Sequence, residues 1–344
     1  MPGSVGVGLI GCGRAGMVHG VNLANRIEES SLRAISDADE EKRSAAAERL
    51  GAPNAYADYR RLLDDREVQA VVVVTPTKLH CEIVVAAAEA GKHVFCEKPM
   101  ALNADECRRM IRATRENNVK LQIGFMRRFA PDFVEGKQRI SDGEIGDVVL
   151  VKTLTHGPST PQPWMYDVRA SNGPLAEVNS HDIDTLRWLT GDEFATVHAT
   201  AGNYRCKDVQ DQYPEFYDNV IMLSKMSGGT QGLVEGAVSV SYGYDARVEV
   251  LGTKGVMFIG ELADGRVSVS TAESGVARRA TRTWRELFAD AYEEEVRDFI
   301  RCVLADDTPR ATGQDGLAAV QVVEAGNRSI RAEEPVQLET FEAE

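Results

Sequence analysis

The chain has 344 residues and a mass of 37.6 kDa, more than one ordinary domain and consistent with two. Hydrophobic residues make up 43% and charged residues 27%, the balance of a soluble globular protein. With 39 basic against 53 acidic residues the net charge is −14, and so acidic a surface repels phosphate backbones and anionic lipid, which argues against nucleic-acid and membrane partners. It does not repel a dinucleotide held by backbone amides, because that contact is local. No apolar run approaches the roughly 20 residues of a membrane-spanning helix, and no basic segment precedes the short apolar stretch near the N-terminus, as a signal peptide requires. The six cysteines, at 12, 81, 96, 107, 206 and 302, show no CxxC and no Cys/His metal spacing. Reduced thiols and a cytoplasmic location are therefore expected.

The first 125 residues alternate between two hydrophobic periods. Short apolar runs at 5–10, 32–36, 70–74, 93–96 and 120–125 read as strands buried on both faces. Between them, 14–28, 40–50, 80–90 and 104–117 read as helices, with Gly51 and Gly91 as closing signals and Asn103 as an opening one. That order predicts an α/β domain with a doubly wound parallel sheet, a Rossmann domain, over 1–125. Beyond it the pattern changes. A helix at 131–140 and a strand at 148–155 lead into an irregular segment at 156–174, then a helix at 180–189. Strands are predicted in succession at 195–204, 217–225, 230–241, 246–251, 256–260 and 266–270, with a turn at 263–265. Helices at 288–305 and 313–331 close the chain. Residues 126–344 are thus expected to form an α+β domain with a large, mostly antiparallel open sheet, whose terminal helices are free to pack on either domain.

The first strand runs into Gly11-Cys12-Gly13-Arg14-Ala15-Gly16, a GxGxxG that opens a helix. The glycines allow a tight turn, close approach of backbone to pyrophosphate, and close helix–strand packing, while the helix N-terminus offers N–H groups to the phosphates. Arg14 and Ala15 open that helix. Asp37 follows the second strand about 20 residues beyond the last glycine, where a carboxylate accepts both adenosine ribose hydroxyls. It would repel a 2′-phosphate, and no arginine directly follows it, so NAD is expected over NADP.

Three further segments carry a resemblance: Val74-Thr75-Pro76-Thr77-Lys78-Leu79-His80, Glu97-Lys98-Pro99, and Glu177-Val178-Asn179-Ser180-His181-Asp182. With the glycine turn they resemble the glucose–fructose oxidoreductase / inositol dehydrogenase (Gfo/Idh/MocA) family over nearly the whole chain. Phe125-Met126-Arg127-Arg128-Phe129 and Tyr242-Gly243-Tyr244-Asp245 are similar to its inositol 2-dehydrogenase branch. The resemblance implies that Thr75, Pro76 and His80 line the nicotinamide-side ribose and that Glu97 touches the nicotinamide half. It also implies that Lys98 is the active-site lysine and His181 the catalytic histidine. The family more often has aspartate where this chain has Glu177, which changes the reach of that carboxylate. The family typically forms dimers or tetramers through the open face of the second sheet, and Val234, Val238 and Val240 are the apolar residues expected there.

The residues support the same chemistry independently. Glu177 and His181 are spaced i, i+4, on one face if a single helix spans both, although Glu177 is alternatively in the approach to that helix. A histidine with a carboxylate neighbour accepts a proton near neutral pH, and Lys98, just past a parallel strand, can stabilise an alkoxide. Arg127, Tyr242, Tyr244 and Trp164 are candidate substrate contacts, the two tyrosines alternating along a strand and so sharing a face. Asp182 and Asp184 are expected to serve capping and packing. No metal site is expected, since the six histidines do not cluster. The leading expectation is an NAD-dependent oxidation of a ring hydroxyl on an inositol or related sugar or polyol. The alternatives are NAD-assisted glycoside processing without net turnover of cofactor, reduction of another keto-sugar, or an NAD-binding sensor.

Overall fold

The computed structural model describes residues 3–271 and 275–338. In chain order, β1 (Val5–Ile10), α1 (Arg14–Asn25), β2 (Ser30–Ser36), α2 (Glu40–Leu50), β3 (Asn54–Tyr56), α3 (Tyr59–Leu63), β4 (Ala70–Val73), α4 (His80–Glu89), β5 (His93–Glu97), α5 (Ala104–Glu116) and β6 (Leu121–Gly124) alternate. They are followed by α6 (Pro131–Ser141), β7 (Val148–Gly157), α7 (Val168–Ser171), α8 (Gly173–Glu177) and α9 (Ser180–Thr190). Next come β8 (Phe194–Gly202), β9 (Asn219–Met226), β10 (Gln231–Val238), β11 (Asp245–Gly252), β12 (Val256–Ile259), β13 (Ala263–Thr271) and β14 (Gly275–Ala280). The chain ends through α10 (Trp284–Leu287), α11 (Ala289–Ala305), α12 (Gly313–Ala332) and β15 (Val336–Gln337). Two compact units result. One holds the chain up to Phe129 together with Asp290–Val320, the other Ala130–Ala289 with the chain from Gln321 onward.

The first unit is built on a sheet in the order β3-β2-β1-β4-β5-β6, with every pair parallel. Every residue of β1 and β4 is buried, which is why both read as unbroken apolar runs rather than alternating ones. The chain winds outward from β1 to β3 and returns to β4, so the carboxyl ends of β1 and β4 flank the point where a ligand is received in such sheets. Asp39 caps α2 by accepting from the Glu41 and Lys42 amides, Asn103 caps α5 through Glu106, and Gly51 closes α2 at φ 62°. The short β3 and α3 lie below the length at which hydrophobic period is informative. The destination of the terminal helices, open from sequence, is decided by an apolar stripe. Val296, Phe299 and Ile300 of α11 pack with Val5, Val7, Leu9, Ile35 and Phe95, so residues 290–320 belong to this unit.

The second unit carries a sheet in the order β12-β11-β7-β10-β9-β8-β15, in which β7 and β10 pair parallel and the other neighbours antiparallel. Its strands alternate. Val151, Thr153, Val220, Met222, Val234, Val248 and Val250 are buried, while Ile221, Leu223, Leu251 and Phe258 are exposed. Val234, Val238 and Val240, expected on the open face, are thus buried, since the register sends them inward. The segment 156–174 is not irregular throughout. It holds a 3-10 turn at Pro163–Met165, then α7 and α8. Val168 packs there with Cys206, Phe216 and Val238, and Tyr166 stacks on Tyr213 with ring centroids 5.8 Å apart. The turn expected at 263–265 lies within β13, which pairs with β14. No helix among the described residues is long and apolar enough to cross a membrane. All six cysteines are buried, and none forms a disulfide.

Candidate functional site

In the first unit the glycine turn joins β1 to α1. Gly11 has φ +100°, and a Cβ on Gly16 would stand 2.0 Å from the Gly11 carbonyl oxygen, so the turn closes only without side chains. A Cβ at Gly13 would meet nothing within 4 Å, and Gly13 supplies no side-chain cap to α1. Ala15 lies in the first turn of α1, and Arg14 is exposed there. The turn therefore presents uncapped helix amides to open space, the arrangement that receives an anionic phosphate. Asp37 is held at the end of β2, where its carboxylate accepts the Cys12 amide at 2.8 Å and the Asp39 amide at 2.9 Å. Burial, and then the Asp37 charge, push the Cys12 thiol up to about 12, so it stays protonated and inert. Although no arginine directly follows Asp37 in sequence, α2 returns Arg43 to its backbone carbonyl at 2.8 Å.

The ends of β4 and β5 are tied together by one ring. His80 is 1% exposed, and its nitrogens meet the Thr75 carbonyl at 2.8 Å and the Pro99 carbonyl at 2.9 Å. Burial lowers its pKa even though both hydrogen bonds oppose that. Pro76 is exposed beside it, and the Thr75 hydroxyl is buried with no protein partner. That orphaned hydroxyl, adjoining the glycine turn where Gly11 packs on Val74 and Thr75, fits a dinucleotide whose ribose would supply the missing partner. Lys98 is half-buried and precedes a cis proline.

The side chain of Glu97 turns into the interior. Its Oε2 accepts the Lys98 amide at 3.0 Å, and its Oε1 meets His19 Nε2 at 2.7 Å. Burial alone would raise its pKa, but the His19 hydrogen bond and the His19 and Lys98 charges outweigh that and hold it low. Glu295 of α11 completes this cluster. Among the described residues, His19, Glu97 and Glu295 bring ligand-type atoms within 4.8 Å of one another, and all three are buried. Arg127 lies in the turn after β6 and is 1% exposed, while Arg128 donates to the Arg310 carbonyl at 2.7 Å and pairs with Asp315 at 2.9 Å.

In the second unit Glu177 closes α8, and the chain breaks at Val178-Asn179 before α9 begins at Ser180. Glu177 is therefore in the approach to the helix, and the i, i+4 face of a single helix is not realised. His181 occupies the first turn of α9 and is 6% exposed. Its neighbour Asp182 serves packing, as expected. It is fully buried and accepts from Thr153 Oγ1 at 2.5 Å, Thr155 Oγ1 at 2.7 Å and Asn179 Nδ2 at 2.8 Å. The start of α9 is thereby fastened to β7, and Asn179 adds a bond to the Glu235 carbonyl of β10.

Tyr242 and Tyr244 do not share a face. Gly243 at φ +128° turns the chain before β11 starts, leaving Tyr242 43% exposed and Tyr244 buried against Phe288. The Tyr242 hydroxyl contacts His156 Nδ1 and reaches Asp245 at 3.2 Å, and His156 Nε2 lies 3.0 Å from Glu235. Burial, then Asp245, push the Tyr242 hydroxyl up to about 12. Trp164 is half-buried in the 3-10 turn. Sequence reasoning missed His19 and Glu295. The available signal was a charged residue, Glu295, on the same helical stripe as Tyr292, Val296 and Phe299.

Residues 5–125 match the oxidoreductase family with an NAD-binding Rossmann fold, and residues 137–338 match that family's C-terminal alpha/beta domain. Myo-inositol 2-dehydrogenase of Thermotoga maritima is 33% identical over 97% of this chain and 98% of its own length. The scyllo-inositol 2-dehydrogenase (NAD(+)) of Bacillus subtilis is 32% identical over 97% of this chain and 96% of its own. Scyllo-inositol dehydrogenase of Lactobacillus casei, solved with bound NAD(H) and scyllo-inositol, superimposes with a TM-score of 0.88 at 26% identity over 97% of this chain and 99% of its own. The two matched domains, the order of the first sheet and the glycine turn agree, and the chain belongs to the Gfo/Idh/MocA family of NAD-binding oxidoreductases.

Proposed function

We propose that the protein is a dehydrogenase that oxidises a secondary ring hydroxyl of an inositol or a related polyol with NAD. The observation that carries this reading is the Glu97-Lys98-Pro99 turn, held by His19 and His80 at the strand ends where such sheets receive ligands. The full-length similarity to myo-inositol 2-dehydrogenase supports the substrate class.

Gly11, Gly13, Ala15 and Gly16 would hold the pyrophosphate, with Arg14 over it. Asp37 would take the adenosine ribose and disfavour a 2′-phosphate, while Thr75, Pro76 and His80 would frame the nicotinamide half, the Glu97 carboxylate being turned inward to His19. Bound NAD supplies the hydride acceptor. The Lys98 ammonium binds the reacting hydroxyl and stabilises negative charge as its proton leaves. His181 accepts that proton, and Glu177, in the approach to α9, supports its protonated form. Arg127, Tyr242, Tyr244 and Trp164 remain the candidates for orienting the ring. The exposed side of the second sheet, with Ile221, Leu223, Leu251 and Phe258, suits a second copy of the chain, as in a homodimer or homotetramer.

The test incubates the protein with NAD and a panel of inositols, free sugars and glycosides, reading NADH absorbance and glycoside cleavage in parallel. NADH formed with one polyol, and reduced about 10²–10⁴-fold in Lys98→Ala or His181→Ala while NAD still binds, is the expected result. Cleavage without net NADH, or NAD binding with silence in both channels, overturns it.

A further inference from the structure

The mechanism above uses Lys98 but leaves unexplained the buried acid beneath it. Glu295 is 0% exposed, and both its carboxyl oxygens are buried without a hydrogen-bond partner. Its carboxyl lies within 4.8 Å of the ligand atoms of Glu97 and His19. The surroundings are His19 from α1, with the Phe95 ring tilted against it and Tyr292, one turn earlier on α11, packed edge-on, Glu97 with the following Lys98 from β5, and Gln122 from β6, whose amide donates to the Glu295 carbonyl at 2.8 Å. Two ionised carboxylates in so small and dry a space have one histidine and one lysine to balance them. Glu97 already has both, with the His19 ring on one oxygen, the Lys98 amide on the other and the Lys98 charge close enough to favour its ionised form. Glu295 receives neither.

We propose that His19 and Glu295 are positioning residues for Lys98: the cluster holds one negative charge, on Glu97, and Glu295 is the neutral acid that keeps that charge fixed beneath the Lys98 turn. A carboxylic acid has a donor where a carboxylate has only acceptors, so a small rotation of Glu295 lets its O–H donate to Glu97, removing the repulsion and satisfying one of the two orphaned oxygens in one move. Burial first, and then the Glu97 charge, raise the Glu295 pKa well above the usual carboxylate range, in agreement with the geometry. The consequence reaches Lys98 through its own backbone. Glu97 Oε2 holds the Lys98 amide, and His19 fixes the carboxylate that does so, so the ammonium is aimed before substrate arrives.

This inference rests on the proposed role of Lys98, and its tests are therefore also made without substrate. Difference infrared spectra of the intact protein at neutral pH are expected to show the carbonyl stretch of a protonated carboxylic acid, lost in Glu295→Gln. The rate at which an amine reagent labels Lys98, read by peptide mass spectrometry, is expected to shift about tenfold in His19→Leu and Glu295→Leu. His19→Gln, which keeps a donor toward Glu97, and Glu295→Gln, the neutral isostere, are expected to lose far less than their leucine counterparts. With a turned-over polyol the loss falls on kcat, and NAD affinity is retained. No acid band in the wild-type protein, Glu295→Gln as damaging as Glu295→Leu, or a divalent cation that raises the Tm of the wild type but not of Glu295→Gln each overturns the proposal. The last would mark a metal site instead. If no polyol is oxidised, the infrared and labelling results still decide it.

Discussion

Replacing Glu295 by glutamine should change how the stability of the first unit depends on pH. Two carboxylates about 5 Å apart repel by roughly 3 kcal/mol at an effective dielectric of 20, and burial adds to the cost of ionising Glu295, which is 0% exposed. In the folded protein its pKa is raised, by burial first and then by Glu97. Below the unfolded value, near ~4.3, both states carry the proton and this group adds no pH dependence. Above it the unfolded chain ionises while the folded protein keeps the proton, so stability falls as pH rises until the folded pKa is reached. The slope is about 1.4 kcal/mol per pH unit between the unfolded value and the folded one. Glutamine has no proton to lose, so the difference between variant and wild type should grow at that rate in favour of the variant. Glu97 does not interfere. Its pKa is lowered, so its contribution is complete above the unfolded value and is lost only as pH falls through the folded one. The three tryptophans, at 164, 188 and 284, all lie in the second unit and would not report this change. Hydrogen exchange of β1 and β4 peptides in a denaturant series, at constant ionic strength across that pH range, is the appropriate assay. Parallel stability curves for the two proteins would refute the reasoning.

Other changes follow from the geometry. Gly16→Ala puts a Cβ 2.0 Å from the Gly11 carbonyl oxygen; a cost of about 1–3 kcal/mol in unfolding and a matching loss in NAD titration are expected, because backbone must move. Asp37→Ser removes the carboxylate that opposes a 2′-phosphate, and the kcat/KM ratio of NADP to NAD should rise on the order of tenfold in initial-rate assays. It also frees the Cys12 and Asp39 amides, lowering stability by about 1 kcal/mol. Asp182→Ala deprives Thr153, Thr155 and Asn179 of their shared acceptor; about 3 kcal/mol of stability should be lost in denaturant melts, with faster exchange of the amides that open α9.

The amino-acid sequence alone determined the Rossmann architecture of the first domain, because strands buried on both faces and glycine-closed helices write a period into the chain that no distant contact is needed to read. It determined the glycine turn and the carboxylate after β2 for the same reason, each being local in the chain, while the roles of Thr75, Lys98 and His181 came from the resemblance to the family. Tertiary structure decided the rest. Whether Val234 faced inward depended on sheet register, a one-residue matter that flips every side chain. The opposed faces of Tyr242 and Tyr244 depended on the φ of Gly243, and the break before α9 separated Glu177 from the helix of His181. The His19, Glu97 and Glu295 cluster joins three segments from the start, middle and end of the first unit's chain, so its chemistry exists only once α1, β5 and α11 have packed around one buried charge.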